Sequence, residues 1–388
     1  MKLIYCIHSV YNPGGMERVL LNKVSYLVSH YGWDIAIVTT NQNQRPPFYK
    51  FPEGVRMIDL GINYSSGESE GAFGKICAYF QKRKLHRVRL QQCLEQEKAD
   101  VVISLFPSES SFIPKIKDGS KKVLELHFNK YFRIQYKRTG LIGLLDRLRT
   151  KLDERLVRQF DKFVVLTEED KGYWGELSNI EVVPNAVRPT DGRVSDVTRK
   201  RVMAVGRLDY QKGFDRLIKA WDIVAKNPSL TEWKLDIYGQ GEWQDMLEGM
   251  INERNLRDRV KINHPTNSIN DEYLASSLIA MTSNYEGFGM VLVEAMSRGV
   301  PAVSFDCVCG PSDIISHEEN GLLVKNGDIE ALADAMMRVM RDEDLRKRMS
   351  KNAVLVSQKY SEEVIMKKWV DLFEGLAVSG LAVSGYKL

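Results

Sequence analysis

Cysteine is scarce in this chain, with five residues among 388: Cys6, Cys77, Cys93, Cys307 and Cys309. A sparse, odd-numbered set supports no disulfide framework and favours a reducing compartment. Cys307 and Cys309 form a C-x-C pair without a matching Cys or His cluster, which argues against a metal site there. Long apolar runs are missing as well. Nothing approaches the roughly 18 residues of a membrane span. The start, MKLIYCIHSV, is too short in its apolar part for a signal-peptide core and is interrupted by His8, so it reads as a first buried strand. Charge of one sign is also missing. A net charge of +4, from 55 Lys/Arg and 51 Asp/Glu, gives no ground for expecting nucleic acid as a partner.

What is present is a pattern that runs twice. With 388 residues, two domains of roughly 150–200 residues each are expected. KLIYCIHSV (2–10), DIAIVTT, VRMIDL, DVVISLF, KKVLELHF and DKFVVLTEED read as strands separated by helical segments such as MERVLLNKVSYLVSHYG (16–32). Continuously apolar strands alternating with helices predict an α/β fold with a parallel sheet covered on both faces. Residues 182–200, rich in Pro, Asn, Gly and Asp, read as a linker. RVMAVGRL, WKLDIYGQG, RVKINHP, LIAMTSN, PAVSFDC and GLLVKNG then supply a second set of strands. Two Rossmann-like, doubly wound domains are expected, 1–185 and 186–360, facing across a cleft at the carboxyl ends of their strands. The tail repeats LAVSG within 375–385, which fits a frayed terminus, a functionless duplication or a small docking element.

Three constellations carry chemistry. In YNPGGMERVL (11–20), Gly14 and Gly15 leave a strand and open a helix, an anion seat or simply a tight turn. No third glycine makes the GxGxxG pattern of a dinucleotide site, which weakens a nicotinamide dehydrogenase reading. In VGRLDYQKGFDRL (205–217), Arg207 and Lys212 lie between strand and helix, as two cations for a diphosphate or as a solvated loop. In SNYEGFGMVLVEAMSRG (283–299), Gly287, Phe288 and Gly289 precede a helix. The amides of about 288–291, including Met290 and Val291, are orphan donors of its first turn. Glu286 stands before that turn and Glu294 about one turn in, where a carboxylate either favours the helix dipole or accepts from sugar hydroxyls. Beside a phosphate, a carboxylate is favourable only if it meets hydroxyls or the positive charge of an oxocarbenium-like centre.

Glu286-x7-Glu294 with EGFG at its start resembles the signature of retaining glycosyltransferases of family 4, which have the GT-B fold. NPGGMER, VVPNAV, VGRLDYQKG, YGQGEW, GVPAVSFDCVCGPSDII and NGLLVKNGD agree in order and spacing, so the resemblance spans nearly the whole chain. It implies a donor nucleotide-sugar held mainly by the C-terminal domain, with UDP preferred, and no further cofactor. Glu294 would bind the ribose, and Arg207 and Lys212 the diphosphate. Glu286 with the amides of Gly287, Phe288 and Gly289 would grip the transferred sugar. His127 in LELHFNK is the matching histidine near the reacting sugar; a strand-end histidine satisfied by the backbone is its other reading. Gly14 and Gly15 would approach the donor phosphates or the acceptor. Gly239 and Pro265 would border the base, Ser312 and Asp313 would be supporting residues, and a last helix, about 361–388, would pack back on the N-terminal domain.

The reaction implied is transfer of a hexose or N-acetylhexosamine with retention to a saccharide or polyprenyl-linked acceptor of a surface polysaccharide. Arg and Lys would stand in for a divalent ion, so no metal is expected; Asp342 and Asp344 in RDEDLRK read as parts of a charged surface helix. A sugar-nucleotide epimerase of the same fold and a non-catalytic nucleotide-binding protein are the alternatives. Residues 82–89, KRKLHRVR, carry five Lys/Arg and no acid, and residues 130–151 are again basic among apolar neighbours. These read either as solvated helix faces or as contacts to an anionic membrane surface; a cytoplasmic protein is expected, and the second reading would make it peripheral on the inner face of the cytoplasmic membrane.

Overall fold

The computed structural model describes residues 1–64, 72–105, 109–136, 138–188 and 190–384. Phe106 at the end of one expected strand, Lys137 in the basic stretch, Pro189 in the linker and residues 385–388 of the tail lie outside the described residues. The chain divides into two compact units, Met1–Val165 with Lys171–Val183 and Met366–Leu388, and Leu166–Asp170 with Pro184–Ile365.

In the first unit, the order is β1 (Lys2–Ile7), α1 (Gly15–Tyr31), β2 (Asp34–Thr39), β3 (Arg56–Asp59), α2 (Ala72–Glu97), β4 (Val101–Ser104), β5 (Lys121–Glu125), α3 (Gly140–Val157), β6 (Lys162–Val165), α4 (Glu168–Trp174, its residues up to Asp170 belonging to the second unit) and β7 (Ile180–Val182). Its seven strands lie in the order β3-β2-β1-β4-β5-β6-β7, all parallel, with Leu3 opposite Ile35 on one side and Val101 on the other. Ile4, Val102, Leu124 and Phe163 are fully buried in its core. The first strand ends at Ile7 rather than residue 10, and the three-residue edge strand β7 was too short to register as an apolar run.

The second unit repeats the winding: β8 (Arg201–Val205), α5 (Phe214–Ala225), β9 (Lys234–Tyr238), α6 (Gln244–Glu253), β10 (Val260–Asn263), α7 (Ile269–Leu274), β11 (Leu278–Met281), α8 (Met290–Ser297), β12 (Ala302–Asp306), α9 (Pro311–Ile314), β13 (Gly321–Lys325), α10 (Ile329–Arg341) and α11 (Glu343–Ser357). The sheet order is β10-β9-β8-β11-β12-β13, again parallel throughout. Helix α5 buries Phe214, Leu217, Ile218, Trp221 and Val224, an i, i+3, i+4, i+7, i+10 stripe, in a core shared with Met336 and Val339 of α10. Asp342 is not a helix-face residue: it closes α10 and caps α11, accepting from the Leu345 N–H at 2.8 Å.

Helix α12 (Glu362–Ser384) follows. Trp369 and Phe373 on it are buried in the first unit, where Phe373 packs edge-on against Trp33. The helix runs through the first LAVSG copy and most of the second, so these repeats are helical backbone up to Ser384. In both sheets the winding reverses between the first and the fourth strand of the unit, β1 and β4 or β8 and β11. Ligands of doubly wound sheets bind beyond the carboxyl ends of strands at such a reversal.

Candidate active site

In the second unit the reversal brings together two loops 74 residues apart. Lys212, from the loop after β8, donates to Glu286 Oε1 at 2.7 Å, from the loop after β11. Ser283 Oγ donates to the same oxygen at 2.5 Å. The Glu286 N–H donates to the Val308 carbonyl at 2.9 Å, which pins the residue's backbone. Glu286 is buried, so its charge depends on these donors. The sequence had assigned Lys212 to a diphosphate and Glu286 to a sugar without pairing them.

Arg207 lies in the same loop as Lys212 but points elsewhere. It is exposed and pairs with Asp209 at 3.1 Å and Gln211 at 2.9 Å, not with Glu286. Gly287 follows Glu286 and is partly exposed. The Phe288 side chain belongs to the core, edge-on to Tyr360 at 5.4 Å, so only its backbone is available to a ligand. Gly289 precedes α8 with φ of 94°, a conformation that favours glycine and turns the chain into the helix led by Met290 and Val291. Glu294, half-buried on α8, accepts from the Tyr273 hydroxyl at 3.2 Å. Tyr273 is fully buried in α7 and holds that carboxylate.

Gly239 follows β9 and has a packing reason of its own. A Cβ there would lie 1.9 Å from the Gly206 carbonyl oxygen, so the two strand ends touch backbone to backbone. A Gly239→Ala variant is expected to lose about 1–3 kcal/mol in denaturant unfolding, as overpacking does; unchanged stability would remove this explanation. Pro265 is exposed in the loop after β10. Asp313 accepts from the Glu168 N–H at 2.8 Å, and Ser312 Oγ stands 3.5 Å from Glu169, so both are engaged in local packing. Burial raises the Asp313 carboxyl above the usual range. Cys307 and Cys309 are buried free thiols.

The first unit holds its own cluster. Gly14 caps α1 and Gly15 begins it. The Glu17 carboxylate lies over Gly14, where a Cβ would meet its Oε2 at 2.0 Å, so a negative group already stands at this helix start. Burial raises the Glu17 carboxyl. His127, just past β5, has its Nε2 3.1 Å from Glu125 Oε1. The partner is thus a carboxylate and not the backbone. Lys23 of α1 donates to the same oxygen, and its ammonium stands 3.5 Å from the centre of the Trp369 ring of α12. Lys23, Glu125 and Trp369 are almost completely buried. Burial alone would raise the Glu125 carboxyl, but Lys23 and then His127 pull it down to about 2.

Lys23, Glu125 and Ser283 were missed by sequence reasoning. Two left a trace: a lysine inside the Leu20, Val24, Leu27 stripe, and a glutamate at the end of β5 between the buried Leu124 and Leu126. Among the described residues no group of three or more His, Cys, Asp or Glu is placed to hold a metal.

Residues 13–191 match the family model described as Glycosyltransferase Family 4, and residues 191–355 the one described as Glycosyl transferases group 1. The amylovoran biosynthesis glycosyltransferase AmsD of Erwinia amylovora is 30% identical over 390 residues, 96% of this chain and 99% of that one. The lipopolysaccharide 1,6-galactosyltransferase of Escherichia coli is 23% identical, over 88% of this chain and 90% of that one. Among solved structures, a mutant of S. aureus TarM in complex with fondaparinux, alpha-GlcNAc-glycerol and UDP matches with a TM-score of 0.73 at 18% identity, over 96% of this chain and 99% of that chain.

Proposed function

The chain belongs to glycosyltransferase family 4 and has the GT-B fold, and from that premise we propose that it moves a hexose or N-acetylhexosamine from a UDP-sugar, with retention and without a metal, to a saccharide or polyprenyl-linked acceptor of a surface polysaccharide. The observation that carries this reading is the Lys212–Glu286 pair at the reversal of the second sheet, beside the start of α8. Relatives named for amylovoran and lipopolysaccharide synthesis support the polysaccharide, and the UDP held by TarM supports the donor. A polyprenyl-linked acceptor would hold the enzyme at the inner face of the cytoplasmic membrane.

Lys212 spends one of its three N–H groups on Glu286 and has two for phosphate oxygens. Arg207, paired with Asp209 and Gln211 as it stands, would turn to add a second cation from the same loop. The bond between the anomeric carbon and the diphosphate oxygen breaks, and UDP leaves with the electron pair. The acceptor oxygen bonds to that carbon on the same face, and its proton passes to a phosphate oxygen of the leaving UDP. Glu286 faces the charge that develops on the sugar, and the first amides of α8 face the negative charge of the donor. His127 is assigned to the sugar from the first unit, and Glu294 to the ribose.

A panel of nucleotides in a thermal-shift assay tests the reading. UDP or a UDP-sugar is expected to raise Tm and NAD to leave it unchanged, while slow UDP release from the correct donor persists in excess chelator. No stabilisation by any nucleotide-sugar would overturn the function, and loss of turnover with chelator would overturn metal independence.

A further inference from the structure

Helix α3 is amphipathic the wrong way round for a helix that packs on a sheet. Its buried positions are Asp146, Thr150 and Val157. Leu141, Leu144, Leu145, Leu148 and Leu152 recur at i, i+3, i+4, i+7 and i+11 on the opposite side, and all are at least 49% exposed, Leu141 80%. Single exposed leucines need no explanation, but an apolar stripe along one helix face does.

The charges of α3 divide in the same way. Each of its acids is matched by a cation of its own unit: Asp146 stands 3.7 Å from Arg138, Asp153 pairs with Arg133, and Glu154 with Lys130 at 2.7 Å. Its exposed cations, Arg147, Arg149, Lys151 and Arg155, lie beside the leucine stripe. The outward surface is therefore leucines flanked by positive charge. Among the described residues no helix is long and apolar enough to cross a membrane.

We propose that α3 is an interfacial helix that lays Leu141, Leu144, Leu145, Leu148 and Leu152 into an anionic lipid surface, with its cations at the headgroups. Leucines reach the acyl boundary while long Arg and Lys side chains snorkel to phosphate, the arrangement of helices lying in the membrane plane. A second copy of this chain is the competing occupant, because a leucine stripe can also pair with itself. Self-pairing would set the flanking cations of two copies against each other with no acid between them, whereas anionic headgroups neutralise them. The stripe also spans only about three helical turns, short for a stable coiled-coil seam.

This deepens the membrane placement of the proposed function by assigning its surface, and it can fail without the transferase reading failing. The test is co-sedimentation of the full chain with vesicles of phosphatidylcholine alone or with about one third phosphatidylglycerol. Binding is expected to the anionic vesicles only, weakened by salt. A Leu144→Asp/Leu148→Asp variant is expected to bind at least about tenfold more weakly. An Arg147→Gln/Lys151→Gln variant is expected to lose about fivefold per charge removed. Both variants should keep the wild-type Tm and its rise with UDP, since the changes are at exposed positions; if UDP fails to stabilise even the wild type, the transferase reading fails and the lipid result still stands. No binding by the wild type, equal binding by the leucine variant, or a lipid-indifferent dimer that this variant makes monomeric would overturn the proposal.

Discussion

Replacing Lys212 by alanine lowers kcat about 100- to 1000-fold while the donor KM changes much less, the size expected when one preorganised charge is removed from a developing anion. The ammonium is placed by its own stem, which runs against Gly206, where a Cβ would meet Lys212 Cγ at 2.9 Å. Arginine does not rescue the loss, because its planar fork needs more room than that channel gives. Glu286→Gln keeps an acceptor for Lys212 and Ser283 but removes the charge, so turnover falls more than binding. Because Lys212 and Glu286 touch, the double variant costs less than the sum of the two. Glu294→Ala behaves differently: it weakens donor binding about 10- to 100-fold, the range for losing hydrogen bonds to a charged group, with a smaller change in kcat. Steady-state kinetics on purified variants decide this. Negligible and equal effects at Glu286 and Glu294 would sink the site.

Much of this was legible in the chain. Val- and Ile-rich runs without alternation mark strands buried on both faces, and both parallel sheets follow them. Glu286, Arg207 and Lys212 stand out because each lies at a strand-to-helix junction, where the fold presents side chains and free amides, and Glu294 because it lies one turn into the helix that follows. Their pairing was not legible, since 74 residues separate Lys212 from Glu286 and only the strand order β9-β8-β11-β12 makes their loops neighbours. The packing need for Gly239, which the resemblance sets beside the base, was not legible either, because its backbone neighbour Gly206 lies on another strand end. Helix α3 was visible as a basic stretch, yet which side faced outward was not, because its leucines would ordinarily be taken for the core. Lys23 and Glu125 broke the apolar pattern around them, and a charge inside such a pattern calls for a partner elsewhere in the chain.

That pair sets the second large effect. Lys23→Met is expected to cost about 3–5 kcal/mol of unfolding free energy, because it leaves the Glu125 carboxylate buried without its cation. Adding Glu125→Gln to Lys23→Met should restore most of the loss, since a buried ion pair replaced as a whole costs far less than half a pair left behind. Trp369 belongs to the same unit of stability: its ring faces the ammonium, so Trp369→Leu should be less harmful in the Lys23→Met background than in the wild type. The acid limb reports the same pair. The Glu125 carboxyl, held down to about 2, is depressed relative to the unfolded chain, so its contribution is present above the ordinary carboxylate range and is lost as pH falls from about 4.3 towards 2. Over that window the wild type should lose about 3 kcal/mol that the Glu125→Gln variant does not lose. Denaturant titrations between neutral pH and the acid limb measure both quantities. A Lys23→Met variant as stable as the wild type, or an acid limb that Glu125→Gln leaves unchanged, would show that the buried pair does not hold His127 and α12 to the first unit in the way the contacts imply.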